Sequence, residues 1–302
     1  MRPSFVSKAP LFLIVFIDGM GLGILYPVLN TIFLNPNYHF ASHLVSIDFR
    51  NIQYAVAVSC FMLAWFFGAA LLSDLSDQIG RKKTLLIALW GTFFGYVLTV
   101  FGIWWHSFVL IVAGRLLDGL TAGSQPIAQA AIADLSLPEK KAQSIAYVLM
   151  FMSLGFIVGP IVGGLLTQSQ WVGWFSLETP VVCAAVFSGI NIFLLMVLFA
   201  ETFSSTSVSI NLLRPFQLLA QAFQKKRMTQ LSLVFLLMQL GWSMFYSYSG
   251  AYAVKTFSLS PFELMLFMGL MGVGFVLGFG FLVGFFEKRL HPSKTLVLVY
   301  MS

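Results

Sequence analysis

A chain of 302 residues that is 59% hydrophobic and only 9% charged, with a mean hydropathy of +0.89, lies outside the range of soluble domains, of which roughly a quarter is charged. It reads as an all-α polytopic membrane protein, and its net charge of +6 is a topology signal that says little about nucleic acid. Cys60 and Cys183 fall inside apolar stretches, where free thiols act as small hydrophobes, and no metal-ligand, P-loop or triad spacing suggests a metal, a cofactor or an enzyme.

Apolar runs of about 18 residues or more can span the bilayer core. In chain order they cover 10–33, 53–72, 84–104, 108–133, 145–166, 178–200, 231–250 and 262–285, eight spans and the start of a ninth. The first follows Arg2 and Lys8 as a signal peptide would, but it runs too long, contains Asp18 and lacks a small-x-small cleavage site, so it reads as a retained helix. Basic residues alternate strictly between the connections. One side holds Arg2 and Lys8, then Arg81, Lys82 and Lys83, then Lys140 and Lys141, then Arg214, Lys225, Lys226 and Arg227, and last Lys288, Arg289 and Lys294; the other has only Arg50 and Lys255. The positive-inside rule puts the N-terminus in the cytoplasm, in a multi-pass protein of the cell's inner (plasma) membrane.

Three ionisable groups sit deep in these spans: Asp18 in the first, Arg115 and Asp118 in the fourth. Each costs about 2.5 to 3.5 kcal/mol at mid-membrane, and such residues face a cavity or one another. Asp18 is either a proton or substrate site or a buried neutral carboxyl. Arg115 and Asp118, three apart on one helix, can pair. Between spans two and three, "SDLSDQIGRKKTL" reads as a loop in which Asp77 precedes Gly80, where the chain turns, followed by Arg81, Lys82 and Lys83. The order of residue types suggests a cytoplasmic gate.

The fifth span carries "GFIVGPIVGGLL". Gly155, Gly159 and Gly163 recur every four residues and so line one face, which lets a neighbouring helix approach closely. Gly164 follows them, and Pro160 removes a backbone hydrogen bond and permits a bend. An anchor would have used leucine, so this span reads as a tightly packed joint.

The polar stretch 204–230 separates an N-terminal six-helix bundle (1–203) from an incomplete C-terminal bundle (231–302). Leu212, Leu213, Phe216, Leu219 and Phe223 in it have helical spacing, and with Lys225, Lys226 and Arg227 they suit a helix on the anionic leaflet; a disordered loop is the alternative. In the seventh span Gln239, Trp242 and Tyr246 share one helix face, either a substrate face or lipid-facing aromatics. "KKTLLIAL" from Lys82 and "SKTLVLVY" from Ser293 lie 211 residues apart. This repeat, with the matching order of spans, implies two related six-helix halves and a protein of about 400 residues, so that the second half is partial here.

"LSDQIGRKKTL" resembles the signature loop of the major facilitator superfamily, matching it at Leu75, Asp77, Gly80, Arg81, Lys82 and Leu85, with Ser73 and Gln78 replacing its usual glycine and arginine. "GRLLDGLTAGS" is similar to the family's fourth-helix motif at Arg115 and Gly119, and "IDGMGLGILYP" to the first-helix motif of its drug/proton antiporters. "GFIVGPIVGG" matches their fifth-helix motif at Gly155, Gly159, Pro160, Gly163 and Gly164, and "FAETF" resembles their usual ending of the sixth helix. In detail the chain is most similar to bacterial tetracycline/proton antiporters. The resemblance implies the major facilitator fold and proton-coupled export of small drug-like or amphiphilic compounds by alternating access. Asp18 would bind and release the proton, Arg115 would tune it, and Asp77, Gly80, Arg81 and Lys82 would form the cytoplasmic gate. The partners implied are a small-molecule substrate, protons and the lipid bilayer. A metabolite importer or facilitator of the same fold and a non-functional fragment are the alternatives. A membrane-embedded Mg²⁺ enzyme is disfavoured because Asp118 and Asp134 are separated by most of a helix.

Overall fold

Inside lipid a backbone amide has no water to bond, so an apolar run must close its hydrogen bonds within itself. The computed structural model is accordingly helical. It describes residues 5–34, 47–167, 172–201, 213–224 and 226–257, with scattered positions between 267 and 285.

Among the described residues five helices are long and apolar enough to cross a membrane: α1 (Phe5–Leu34), α2 (Ile47–Ile79), α3 (Arg81–Trp104), α6 (Lys141–Leu166) and α7 (Thr179–Leu198). The expected fourth span is not one helix but two, α4 (Phe108–Thr121) and α5 (Ser124–Asp134). The interruption follows from Pro126. A proline offers no N–H to the carbonyl four residues back, and its ring crowds that carbonyl, which here belongs to Ala122. Ala122 leaves helical geometry at ψ 56°, and α5 restarts after Gly123, where an added Cβ would lie 2.7 Å from Leu72.

The expected loop at Ser73–Leu85 is a second correction. Residues 73–79 are the last two turns of α2, and α3 begins at Arg81, so a single residue, Gly80, makes the connection. The stretch is polar because it forms a helix end, where water and side chains satisfy the free carbonyls. Further on, the linker contains α8 (Arg214–Ala222), and α9 (Lys226–Phe257) starts before the expected boundary at 231. Leu213, Phe216, Leu219 and Phe223 are exposed, and the Phe216 ring packs against Phe66 and Phe67 of α2. The eighth span and the 293 repeat fall largely or wholly outside the described residues.

Packing is organised around α1, which lies against α6 and α7. The α1–α6 seam is made by glycines. A Cβ on Gly155 would come 2.7 Å from the Met20 nitrogen, one on Gly159 2.9 Å from Gly23 Cα, and one on Gly23 2.8 Å from Pro160 Cδ. Gly95 and Gly114 bring α3 against α4 in the same way. Helices in lipid gain little from the hydrophobic effect and associate through such close backbone packing. Two large apolar clusters, with a smaller third around Leu22, Phe61, Ala122 and Met152, fill the described part of the bundle. One, at the end carrying Lys8, includes Leu11, Phe12, Leu85, Leu89, Ile127, Val148 and Leu195. The other includes Ile24, Val28, Ile32, Tyr96, Val100, Ile111 and Val181. Leu63, Phe94 and Phe193 point outward and are more than half exposed or close to it, as lipid-facing residues should be.

Candidate functional site

On α1 the lower cluster ends at Val15 and the upper begins at Met20, so Asp18 occupies the level between two apolar plugs. Its Oδ2 accepts a hydrogen bond from the hydroxyl of Ser124, the first residue of α5. The break in the fourth span thus has a role: it brings a hydroxyl at the start of a helix to the carboxylate, and helix starts favour negative charge.

Arg115 and Asp118 pair as their spacing implied, with Nη1 donating to Oδ2 at 2.8 Å. Both are 2% exposed. The Arg115 guanidinium sits 4.0 Å over the Phe61 ring of α2, an attraction that strengthens on desolvation, while its Nε has no hydrogen-bond partner. Thr92 of α3 also hydrogen-bonds Asp118. Ile17, Asp18, Thr92, Tyr96, Ala184, Ser188 and Asn191 line one crevice between α1, α3 and α7. Asn191 Nδ2 donates to the carbonyl of Ile14 at 3.0 Å and ties α7 to α1. Its Oδ1, like Tyr96 Oη, is buried with no hydrogen-bond partner among the described residues.

Gly80 has φ +102° and ψ 158°, a backbone conformation open mainly to glycine. Asp77, Arg81 and Lys82 lie around it. Arg81 Nη1 donates to Asp77 Oδ1 and to Ser76 Oγ, each at 2.5 Å, and Nε reaches Asp134 Oδ2 at 3.3 Å. The backbone N–H groups of Arg81 and Lys82 donate to the two oxygens of Glu201 at 2.8 and 3.1 Å. Lys82 Nζ donates to the carbonyl of Met196 at 2.9 Å. Glu201 therefore caps α3 from the end of α7, and a Cβ on Gly80 would lie 2.7 Å from its Cδ.

Asp134 and Glu201 are the partners of Arg81 and Lys82 that sequence reasoning missed. Both are carboxylates at the basic ends of spans four and six, and Glu201 stands in "FAETF", so their position was a usable signal. Lys8, counted only for topology, is buried and donates to Ser136 and Ser144 at 2.7 and 3.1 Å. The glycine face of α6 meets α1 through Gly155, Gly159 and Gly163, with Pro160 beside Gly23, while Gly164 is partly buried. Gln239, Trp242 and Tyr246 lie on α9, with side chains outside the described residues.

A bundle of membrane-crossing helices with charged groups held between them is the architecture of a multi-pass membrane protein. The chain belongs to the Major Facilitator Superfamily, whose family model matches residues 11–302. It is 30% identical to the class C tetracycline resistance protein of Escherichia coli over 181 residues, 60% of this chain and 41% of that protein. To the class G tetracycline resistance protein of Vibrio anguillarum it is 28% identical over 303 residues, covering 98% of this chain and 71% of the relative. The crystal structure of the human organic anion transporter MFSD10 superposes with a TM-score of 0.76 at 22% identity, covering 98% of this chain and 75% of that one. The match thus spans about two-fifths of the class C protein's length.

Proposed function

We infer that the chain serves proton-coupled export of small drug-like or amphiphilic compounds by alternating access, in the cell's inner membrane with a cytoplasmic N-terminus. The observation that carries this reading is the position of Asp18, a carboxylate at mid-depth between two apolar plugs and hydrogen-bonded to Ser124 at the interruption of the fourth span. Asp18 takes up and releases the proton. The Arg115–Asp118 pair sets the field around it, and Gln239, Trp242 and Tyr246 offer a substrate face from the second half. Asp77, Gly80, Arg81 and Lys82, with Asp134 and Glu201, form the cytoplasmic gate. The α1–α6 glycine seam keeps the first half sealed while the halves rock. Similarity to tetracycline resistance proteins makes tetracycline the probe to use.

Everted vesicles containing the chain should release luminal protons when tetracycline is added. An Asp18→Asn chain, present at equal membrane level, should give no release, and an unchanged signal would refute the role of Asp18.

A further inference from the structure

We propose that the covered ammonium of Lys8 forms, with Ser144 and Lys140, a site for a phosphate group, that of an anionic phospholipid. Lys8 stands at the start of the first apolar run and is only 9% exposed. Its ammonium donates to Ser136 Oγ and Ser144 Oγ, both neutral, and it makes no ion pair among the described residues. Withdrawing a cation from water is costly unless an anion accompanies it. The charge that acts on this ammonium is instead a second cation, Lys140. The acids of the same connection do not serve it, since Asp134 binds Arg81 and Glu139 is exposed.

Two covered donors are left over. An ammonium carries three N–H groups, of which two are used. Ser136 passes its own proton to the Ile132 carbonyl. The Ser144 hydroxyl accepts from Lys8 and has no acceptor for its proton among the described residues. Lys8 Nζ and Ser144 Oγ are 3.1 Å apart, so one anion can accept from both. Ser144 also lies in the first turn of α6, a helix start with neither a capping side chain nor an acidic residue, and helix starts favour negative charge. Lys140, Lys141 and Ala142 are exposed, so the ligand arrives from outside the bundle and needs no cavity. A phosphate suits this set because its several oxygens take charge-assisted hydrogen bonds from more than one donor.

The surroundings favour a lipid as its source. Lys8 marks the end of an apolar span, the level at which headgroups lie. Ala9 and Leu13, four apart on α1, are exposed beside it and offer an apolar strip to an acyl chain. Leu137 of the connection is half exposed.

Thermal melting of the purified 302-residue chain in a neutral detergent tests the site, because a ligand of the folded state raises the melting temperature with its concentration. Phosphatidylglycerol should give a saturable rise that phosphatidylcholine, and inorganic phosphate at the same concentration, do not. Lys8→Met should abolish the rise. Ser144→Ala, which removes one hydrogen bond to a charged group, should move half-saturation up about tenfold, and Lys140→Gln about threefold. Lys83→Gln, which removes an exposed cation at the start of α3, should leave it in place. Equal melting with both lipids, or a rise that Lys83→Gln weakens as much as Lys8→Met, overturns the site. If Lys8→Met does not fold, an unmoved half-saturation in both the Ser144 and Lys140 variants overturns it instead. An equal rise with inorganic phosphate refutes the lipid as the source. Melting is read without tetracycline, so a failure of export leaves this site standing and a failure of this site leaves export standing.

Discussion

Gly159 is the position where the smallest change should do the most measurable harm. A Cβ there would lie 2.9 Å from both Gly23 Cα and the Ile24 nitrogen. These are backbone atoms of α1, so no side chain can rotate aside. Ordinary carbon contacts start at about 3.5 to 4.0 Å, and Gly159→Ala must therefore push α1 from α6 by about 0.6 to 1 Å locally. A gap of that size forfeits about a quarter to a half of each contact's dispersion energy along the seam, and overpacking of this kind costs about 1 to 3 kcal/mol. Gly159→Leu should cost more and abolish tetracycline export at normal membrane levels. Gly241→Ala on α9 is the control, since none of the described residues lies within 4 Å of its added Cβ. Melting of the purified variants, alongside export from vesicles, reads both effects. A Gly159→Ala protein that melts and exports like the parent would show that the helices do not meet here.

Two further outcomes follow from the charged residues. Removing one member of the buried Arg115–Asp118 pair leaves an uncompensated charge and should cost about 3 to 5 kcal/mol, so Asp118→Leu should melt well below the parent, while the double variant Arg115→Met with Asp118→Leu should recover much of the loss; equal melting of single and double variants would contradict the pairing. Glu201→Ala removes the cap on α3 and should cost about 0.5 to 2 kcal/mol, with increased labelling of a cysteine introduced at Ser73 as the local readout, and unchanged melting and labelling would argue against the cap.

Much of the fold could be read from hydropathy, because lipid demands long apolar helices and nothing else in the chain imitates them. What hydropathy cannot register is a backbone interruption within an apolar run. The 108–133 stretch looks continuous by composition, and only Pro126, four residues after Ala122, betrays the break. The opposite error occurred at Ser73–Ile79, where polarity was taken for a loop although a helix end at the membrane face is expected to be polar. Local pairing was legible from spacing, as Arg115 with Asp118 shows. Partners distant in sequence were not: the glycine face of α6 could be seen, but not that α1 fills it, and nothing near Arg81 announces Glu201, 120 residues away.

The cap formed by Glu201 also defines a path for mechanical load. Glu201 is the last described residue before position 213, so tension reaching it along the chain falls on the two hydrogen bonds to the Arg81 and Lys82 amides, with the Lys82–Met196 bond in parallel. Pulling on the tether therefore strains the start of α3 and, through Arg81, the contacts to Asp77 and Asp134. A pull on Glu201 would thus reach the Asp77–Arg81–Asp134 cluster through the covalent chain itself.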